Sequence, residues 1–261
     1  MRAGGDWTDV WLDDKRASDW STSWQLRPTD DRAAFVIENA HSSHALDPGW
    51  KAEVPDALST PDDQPAVALL RRYFGDPLTG GGAAVGAAFD DWDSTGARIA
   101  DADRFTADDL VAVTLLSVRV QPGAAVVLLR DRAAEFGGLL TELGPDRDLV
   151  DEEEPLTGDG WAGWRLQKAL RDIPGIDTTI ATKLIARKRP RLRPIWDRVV
   201  AKVTGTQKHQ WEPVRLTLRE QRRALNDRLV HLHGTAGLPE AVTPLRVLDV
   251  IAWREGKDRG F

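Results

Sequence analysis

From Pro65 to the C-terminus, apolar residues recur every three or four positions, the spacing that places them on one face of an α-helix. Thr106 followed by Asp108 and Asp109 is typical of a helix N-terminus. The runs 111–116 and 124–129 are rich enough in β-branched residues to form strands, but their flanks favour helices. The pattern predicts an all-α class, with helices over Ala66–Phe74, Leu110–Val118, Ala124–Leu143, Trp161–Arg171, Thr178–Arg189, Arg198–Thr204, Val214–His233 and Pro244–Trp253.

Residues 1–64 lack this pattern and are predicted to be an acidic, Trp-rich N-terminal extension to a helical core over residues 65–261. The extension contains five of the eleven tryptophans, namely Trp7, Trp11, Trp20, Trp24 and Trp50. Trp7 with Trp11, and Trp20 with Trp24, are spaced to share a helix face. Because disordered segments are usually poor in aromatic residues, we expect this arm to pack on the core or, alternatively, to bind a partner protein.

The charge of the chain is divided unevenly between its two parts. The formal net charge is −6, but residues 1–160 carry 14 Lys and Arg against 31 Asp and Glu, a net of −17. Residues 161–261 carry 21 against 10, a net of +11. An asymmetry of this size indicates a polyanion-binding region joined to an acidic one.

Composition excludes several classes of chemistry. With no cysteine there is no disulfide, thiolate zinc site, cysteine nucleophile or cysteine-bound iron–sulfur cluster. The longest apolar run, 123–129, is too short to cross a bilayer, and the acidic start is unlike a signal peptide, so we expect a cytoplasmic protein with no membrane partner. Asp91, Asp93 and Gly96 match the opening of a calcium loop, but Ala102 stands where the loop needs Glu. No metal and no cofactor are predicted.

The segment 173–203 combines a tight turn with a run of cations. Pro174 and Gly175 form a turn between two helices, a hairpin over residues 165–189, and Asp177 or Thr178 caps the second helix. The free backbone N–H groups at that helix start suit a DNA phosphate. Lys183, Arg187, Lys188 and Arg189 lie opposite the apolar residues Ile180, Leu184 and Ile185 of the second helix. Arg191, Arg193 and Arg198 follow them in the chain. We interpret these cations as contacts to double-stranded DNA; the alternative is an ordinary solvated basic face.

Residues 173–181 read Ile-Pro-Gly-Ile-x-x-x-x-Ala and resemble the hairpin of the helix-hairpin-helix DNA glycosylase superfamily that includes endonuclease III. That hairpin reads Leu-Pro-Gly-Val-Gly-x-x-Thr-Ala, and an essential Asp follows its first Gly by about 22 positions. Here the step from Gly175 to Asp197 is 22. Residues 109–119 are similar to the early apolar helix of the superfamily, and the resemblance covers roughly residues 105–255. The chain also resembles an actinobacterial family built on this core.

The resemblance implies a helix-hairpin-helix glycosylase-like helical bundle and a monofunctional DNA N-glycosylase that acts on a flipped, damaged or modified base. Asp197 would be the catalytic carboxylate, and Arg119 would fill the gap left by the flipped base. The hairpin residues Gly175, Ile176, Asp177, Thr178 and Thr179 would contact DNA. Trp161, Trp164 and Trp196 are candidates for stacking on the base, with a core role as the alternative for each.

The sequence departs from the superfamily pattern at three places. Asp177 replaces the second hairpin Gly and adds a negative charge beside the expected phosphate. Thr179 stands where bifunctional members carry a Schiff-base Lys, so no lyase step is predicted. The cysteine ligands of the iron–sulfur cluster are missing. Two alternatives follow: a non-catalytic helix-hairpin-helix DNA-binding module, and a hydrolase of free nucleoside-like metabolites. Capping of the helix that starts at Arg198 is the alternative role for Asp197.

Overall fold

The computed structural model describes residues 9–10, 24–28 and 35–39 by their backbone, and residues 50–76, 82–156, 158, 160–209 and 211–261 in full. The chain divides into two compact units, residues 1–50 and Lys51–Phe261. The predicted tryptophan pair Trp7 and Trp11 lies outside the described residues.

The described residues of the first unit that lie before Trp50 form a three-stranded antiparallel sheet. Its strands are β1 (Asp9–Val10), β2 (Trp24–Pro28) and β3 (Phe35–Asn39), in the order β1-β2-β3. In the register of the longer pair, Trp24 lies opposite Asn39. The predicted helix face shared by Trp20 and Trp24 is therefore wrong, because Trp24 begins a strand; Trp20 itself lies outside the described residues. The period-two alternation of apolar and polar residues along β2 was the missed signal.

The second unit is helical, which confirms the all-α class for its described residues. Short 3-10 turns lie at Val85–Phe89 and Leu149–Asp151. The α-helices are α1 (Asp56–Ser59), α2 (Gln64–Phe74), α3 (Ala107–Leu115), α4 (Pro122–Val126), α5 (Ala133–Leu143), α6 (Ala162–Arg171), α7 (Thr178–Lys188), α8 (Arg198–Val203), α9 (Trp211–Ala236) and α10 (Pro244–Asp258). Most of these bounds fall within a few residues of the predicted ones, because the apolar period is that of helices.

Helix α7 lies in the centre of the second unit. Ile180, Leu184 and Ile185 are buried as predicted, and every residue from Ile180 to Lys188 is buried as well. The helix contacts α3 on one side and α6 on another. Because α7 is buried around its whole circumference over this range, its charged side chains there face other parts of the protein and not solvent.

The boundary between the units falls after Trp50, so the predicted boundary after residue 64 is wrong. The backbone N–H of Glu53 donates to the carbonyl of Thr204 at 2.9 Å. The N–H groups of Asp56 and Ala57, at the start of α1, both donate to the Glu255 carboxylate at 3.1 Å. Leu58 is 5% exposed. Residues 51–64 therefore belong to the helical unit because their backbone and apolar side chains are satisfied there.

Two segments predicted as single helices are interrupted. The predicted helix 124–143 becomes α4, a π-helical turn at Val127–Asp131 and α5. Within α9, Gln221, Arg222 and Arg223 adopt left-handed φ values of 46°, 58° and 70°. Left-handed backbone costs roughly 1–2 kcal/mol per non-Gly residue. The conformation brings the Arg223 guanidinium to Asp151 at 2.6 Å, one of several contacts between α9 and the acidic loop.

None of the helices in the described part of the chain is both long enough and apolar enough to span a bilayer.

Candidate functional site

The turn between α6 and α7 is a helical hairpin with an exposed tip. Gly175 has a φ of +91°, a conformation that L side chains rarely adopt, and the N–H of Ile176 donates to the carbonyl of Ile173 at 3.0 Å. Ile173 and Ile176 are buried, whereas Pro174 and Gly175 are exposed. The two isoleucines fix the hairpin to the core, and the Pro-Gly pair presents its backbone to solvent.

Asp177 caps α7, as predicted from the sequence. Its Oδ1 accepts from the backbone N–H of Ile180 at 2.8 Å. Thr178 and Thr179, the first residues of the helix, are partly exposed. Because Asp177 satisfies one of the free N–H groups and places a negative charge at the tip, a phosphate here has fewer donors than in a hairpin with Gly at this position.

Asp197 is both a helix cap and a partly exposed carboxylate. Its Oδ1 accepts from the Val199 N–H at 2.9 Å and so caps α8. Its Oδ2 lies 3.7 Å from Nζ of Lys183, and its side chain is 26% exposed. The carboxylate therefore has one oxygen committed to the helix and the other facing a cation at the edge of the core.

Lys183 connects Asp197 with the loop that follows α3. Its side chain is 4% exposed, and its Nζ donates to the carbonyl of Leu116 at 2.9 Å. Burial lowers the pKa of Lys183, and the charge of Asp197 partly opposes this shift. Lys183 lies on α7, the helix that follows the hairpin tip, so its contact with Asp197 places this carboxylate beside that helix.

Arg119 lies on the same loop, next to the hairpin. A Cβ placed on Gly175 would be 3.4 Å from Cγ of Gln121, so this loop runs directly beside the tip. Arg119 is exposed, and no ion pair holds it among the described residues. The structure therefore brings together Arg119, the hairpin tip, Lys183 and Asp197.

The predicted phosphate-binding face of α7 is wrong. Arg187 and Lys188 are 2% and 6% exposed, and both face Asp109: Nζ of Lys188 is 2.6 Å from Oδ2, and Nε of Arg187 is 3.5 Å from Oδ1. Arg187 also donates to the carbonyls of Phe89, at 2.9 Å, and Trp92. Lys183 is buried as well. These three cations bind the interior of the protein and are not accessible to a DNA backbone in this structure.

The cation that follows them, Arg189, is 1% exposed and binds main-chain carbonyls. Its guanidinium donates to the carbonyls of Ala102 at 2.8 Å, Leu140 at 2.9 Å and Gly144 at 2.5 Å, and it pairs with Asp103. Leu140 is in the last turn of α5 and Gly144 follows it, so Arg189 caps the negative end of that helix.

The predicted base-stacking tryptophans have different environments. Trp196 is 6% exposed and its Nε1 donates to the Thr206 carbonyl at 3.4 Å, which makes it a core residue and corrects its candidacy for stacking. The ring of Trp161 packs edge-on against Trp211 with centroids 4.2 Å apart. Trp164 is partly exposed on α6.

Sequence reasoning missed one buried network and one of two exposed arginines beside the site, Arg171; the other, Arg198, continues the predicted run of cations. Arg171 ends α6 just before the hairpin, and Arg198 directly follows Asp197; both are exposed, and no acidic side chain of the described residues pairs with either. In the interior, Arg246 pairs with Asp90 at 3.0 Å and with Asp249, and it donates to the Tyr73 hydroxyl at 2.8 Å. Burial raises the pKa of Asp249 to about 6. The three-residue step between Arg246 and Asp249 on a helix was the available signal.

Two cavities are lined by described residues other than Asp197. One, of about 470 Å³, is open and lies along α2 near Arg71 and Arg72. The other, of about 10 Å³, lies between α7 and α10 and is lined by Arg193 and Arg246 among others. Within the described ranges, no group of three or more His, Asp or Glu side chains is arranged to hold a metal ion.

The fold and site define a helical domain built around a central hairpin, with a carboxylate–lysine pair on the second helix of that hairpin. Residues 66–256 match the family of unknown function DUF6308. This match spans more than half of the chain, which therefore belongs to that family. No curated protein and no solved structure matches the chain.

Proposed function

We propose that this protein binds double-stranded DNA through the 173–177 hairpin and hydrolyses the N-glycosidic bond of a flipped, damaged or modified nucleotide. The observation that carries the proposal is Asp197, a partly exposed carboxylate 3.7 Å from buried Lys183, which lies on the helix that follows the exposed tip. A carboxylate held in this way can stabilise positive charge and orient water.

Asp197 is contacted by positive groups on two sides. The Val199 N–H at the N-terminus of α8 donates to its Oδ1, and Nζ of Lys183 lies 3.7 Å from its Oδ2. As the bond from the sugar carbon to the base nitrogen breaks, its electron pair leaves with the base and positive charge develops on the sugar. Asp197 stabilises that charge and accepts a proton from the attacking water, whose oxygen becomes the new hydroxyl on the sugar.

Exposed arginines around the hairpin take the role in DNA binding that α7 cannot fill. Arg171 precedes the hairpin, and Arg198 follows Asp197. Arg119 extends from the neighbouring loop. Together with the backbone of Gly175 and Ile176, they supply the cationic contacts that duplex binding requires. In this arrangement Arg119 enters the duplex at the site of the flipped base.

The same geometry argues against a lyase step. A Schiff base needs a free, uncharged amine that can reach the sugar carbon. Nζ of Lys183 is buried and hydrogen-bonded to the Leu116 carbonyl, and Thr179 occupies the position nearer the tip. The proposed enzyme is therefore monofunctional, and its product is an abasic site with an intact strand.

Base release from a panel of duplexes, each carrying one modified base, tests the proposal. We expect release by the wild type and a loss of about 100-fold or more in Asp197→Asn, since a positioned acid–base group contributes roughly 10²–10⁴. Asn is also a good N-cap, so α8 should remain folded. Asp227→Asn, on the exposed surface of α9, is the matched control and should retain full activity.

A non-catalytic DNA-binding module is the second candidate, because Asp197 caps α8 and the two described cavities are lined by other residues. Duplex binding with a steep salt dependence but no base release from any duplex would reject the enzyme and leave the module. Release from free nucleosides alone would favour the metabolite hydrolase. Neither binding nor release would reject both DNA functions.

A further inference from the structure

Lys183 is a buried lysine whose ammonium is shared between two separate parts of the site. It lies in the middle of α7. Its Nζ donates to the carbonyl of Leu116 at 2.9 Å and lies 3.7 Å from Oδ2 of Asp197. Leu116 is the residue at which α3 ends, and Asp197 is the residue before α8. One ammonium therefore joins the end of one helix to the start of another.

The Leu116 carbonyl is the point from which the loop that carries Arg119 leaves α3. The last carbonyls of a helix have no partner within the helix, and a cation beside them also opposes the negative end of the helix dipole. The next residue, Ser117, has a φ of +62°, a conformation that L side chains rarely adopt. The chain turns sharply at this place, so the hydrogen bond from Lys183 fixes the start of the loop.

Two carboxylates support the charge of Lys183. Burial lowers the pKa of Lys183, the charges of Asp197 and Asp249 raise it, and the charge of Arg246 lowers it further. Asp249 is itself paired with Arg246 in the core. The two carboxylates offset part of the cost of burying the ammonium, which can then act on both of its partners as a cation.

We propose that Lys183 is a positioning residue, which holds the loop that carries Arg119 and the Asp197 carboxylate in a fixed mutual arrangement. This role rests on the proposed function, in which Arg119 enters the duplex and Asp197 acts on the sugar. Base extrusion and hydrolysis take place at the same nucleotide, so the two side chains need a common point of attachment. Lys183 provides that point from the interior of the protein, without contacting DNA.

The alternative is an ordinary buried lysine, and α7 contains a second one for comparison. Nζ of Lys188 pairs with Asp109 at 2.6 Å and donates to the carbonyl of Asp101 at 3.1 Å. These partners belong neither to the loop that carries Arg119 nor to α8. Lys188→Met is therefore the matched control for Lys183→Met, because each variant replaces a buried lysine of the same helix by an apolar side chain of similar length.

Amide hydrogen exchange of the free protein, followed by NMR, tests the hold on the loop without DNA. The N–H groups of Leu116 and Ser117 donate to carbonyls of α3 at 3.1 and 3.0 Å, so their exchange reports opening at the end of this helix. After correction for global stability, we expect both to exchange at least about 10-fold faster in Lys183→Met, because the buried carbonyl loses its donor. Lys188→Met should exchange as the wild type does. Unchanged exchange in Lys183→Met would overturn the proposal.

A measurement on the wild type keeps the test independent of whether Lys183→Met folds. In isotope-labelled protein, we expect a slowly exchanging ammonium signal of Lys183 with a scalar coupling between Nζ and the carbonyl carbon of Leu116. An ammonium that exchanges as fast as that of an exposed lysine would overturn the proposal.

Base release separates the positioning role from the proposed function. On a duplex whose modified base the wild type releases, Lys183→Met should lower the single-turnover rate by about 10–100-fold, the scale of a misplaced catalytic group. Its dissociation constant for that duplex should stay within about threefold, because exposed arginines supply the phosphate contacts. Lys188→Met should retain both values.

No loss of rate in Lys183→Met, or a loss matched by an equal loss of binding, would overturn the positioning role while leaving the proposed function intact. If the wild type releases no base from any duplex, the proposed function fails. The exchange measurement then decides by itself whether Lys183 holds the loop.

Discussion

Asp109 is the carboxylate on which two buried cations of α7 depend. It is 2% exposed, contacts Lys188 and Arg187, and accepts from the backbone N–H of Thr106 at 2.8 Å to complete a capping box at the start of α3. One side chain therefore joins the N-terminus of α3 to the end of α7. Removing its charge leaves two cations buried without a counter-charge.

We expect Asp109→Asn to lower the free energy of unfolding by about 3–5 kcal/mol, as for other buried ion pairs that lose one partner. Urea-induced unfolding followed by circular dichroism measures the change. Asp151→Asn, which removes an exposed carboxylate paired with Arg223, is the control and should cost less than about 1 kcal/mol. Equal small losses in both variants would show that the α7 cations do not need Asp109.

At the scale of elements, the hairpin depends on the backbone of one glycine. Gly175 adopts a φ of +91°, whereas Gly138 lies on the exposed side of α5 with no heavy atom within 4 Å of an added Cβ. The same substitution at these two positions therefore separates backbone strain from helix propensity.

Gly175→Ala should lower the free energy of unfolding by about 1–2 kcal/mol, because Ala pays the cost of left-handed backbone. Gly138→Ala should raise it by roughly 0.5–1 kcal/mol, because Ala is the better helix former. Chemical denaturation of both variants gives the two signs. If Gly175→Ala were stabilising, residue 175 could not have the left-handed backbone of this turn.

The helices and the hairpin could be predicted from the sequence, because apolar periodicity, caps and the Pro-Gly turn are local signals. The helical bounds, the capping role of Asp177 and the apolar face of α7 follow from them. The burial of Arg187 and Lys188 could not be predicted, because their partner Asp109 is about 80 residues away in sequence. A run of cations looks the same in the sequence whether it faces solvent or main-chain carbonyls. The contact between Lys183 and Asp197 could not be predicted either, because it also depends on tertiary packing.

At the scale of the whole molecule, formal charge overstates the basic surface of the C-terminal part. Seven of the 21 cations of residues 161–261 are buried, as are two of the ten acids, Asp249 and Glu255. Leaving these out changes the net charge of this part from +11 to 14 − 8 = +6. The remaining cations include Arg171 and Arg198, which keeps the hairpin on a basic surface while α7 contributes nothing to it.

The position of the unit boundary predicts how the chain can be shortened. A chain beginning at Lys51 keeps Leu58 in the core and keeps the hydrogen bonds from the Asp56 and Ala57 N–H groups to Glu255. A chain beginning at Pro65 lacks all three of these residues. We expect the shorter chain to be less stable than the longer one by at least about 3 kcal/mol, from a lost core leucine and a carboxylate without its donors. Parallel urea titrations measure the difference, and equal midpoints would return the boundary to residue 64.

Arg189 acts as a non-covalent cross-link. Besides the neighbouring Lys188 carbonyl, it binds the carbonyls of Ala102, Leu140 and Gly144, which are 87, 49 and 45 residues away along the chain. A single guanidinium thus joins the segment around Ala102 and the end of α5 to its own segment. The three segments must then open together rather than one by one, and their amide protons should exchange with solvent as one cooperative unit. A lysine ammonium also has three N–H donors, but they all start from one nitrogen, whereas the guanidinium carries five donors on three nitrogens held in a rigid plane. A lysine at this position therefore cannot reach the same set of carbonyls.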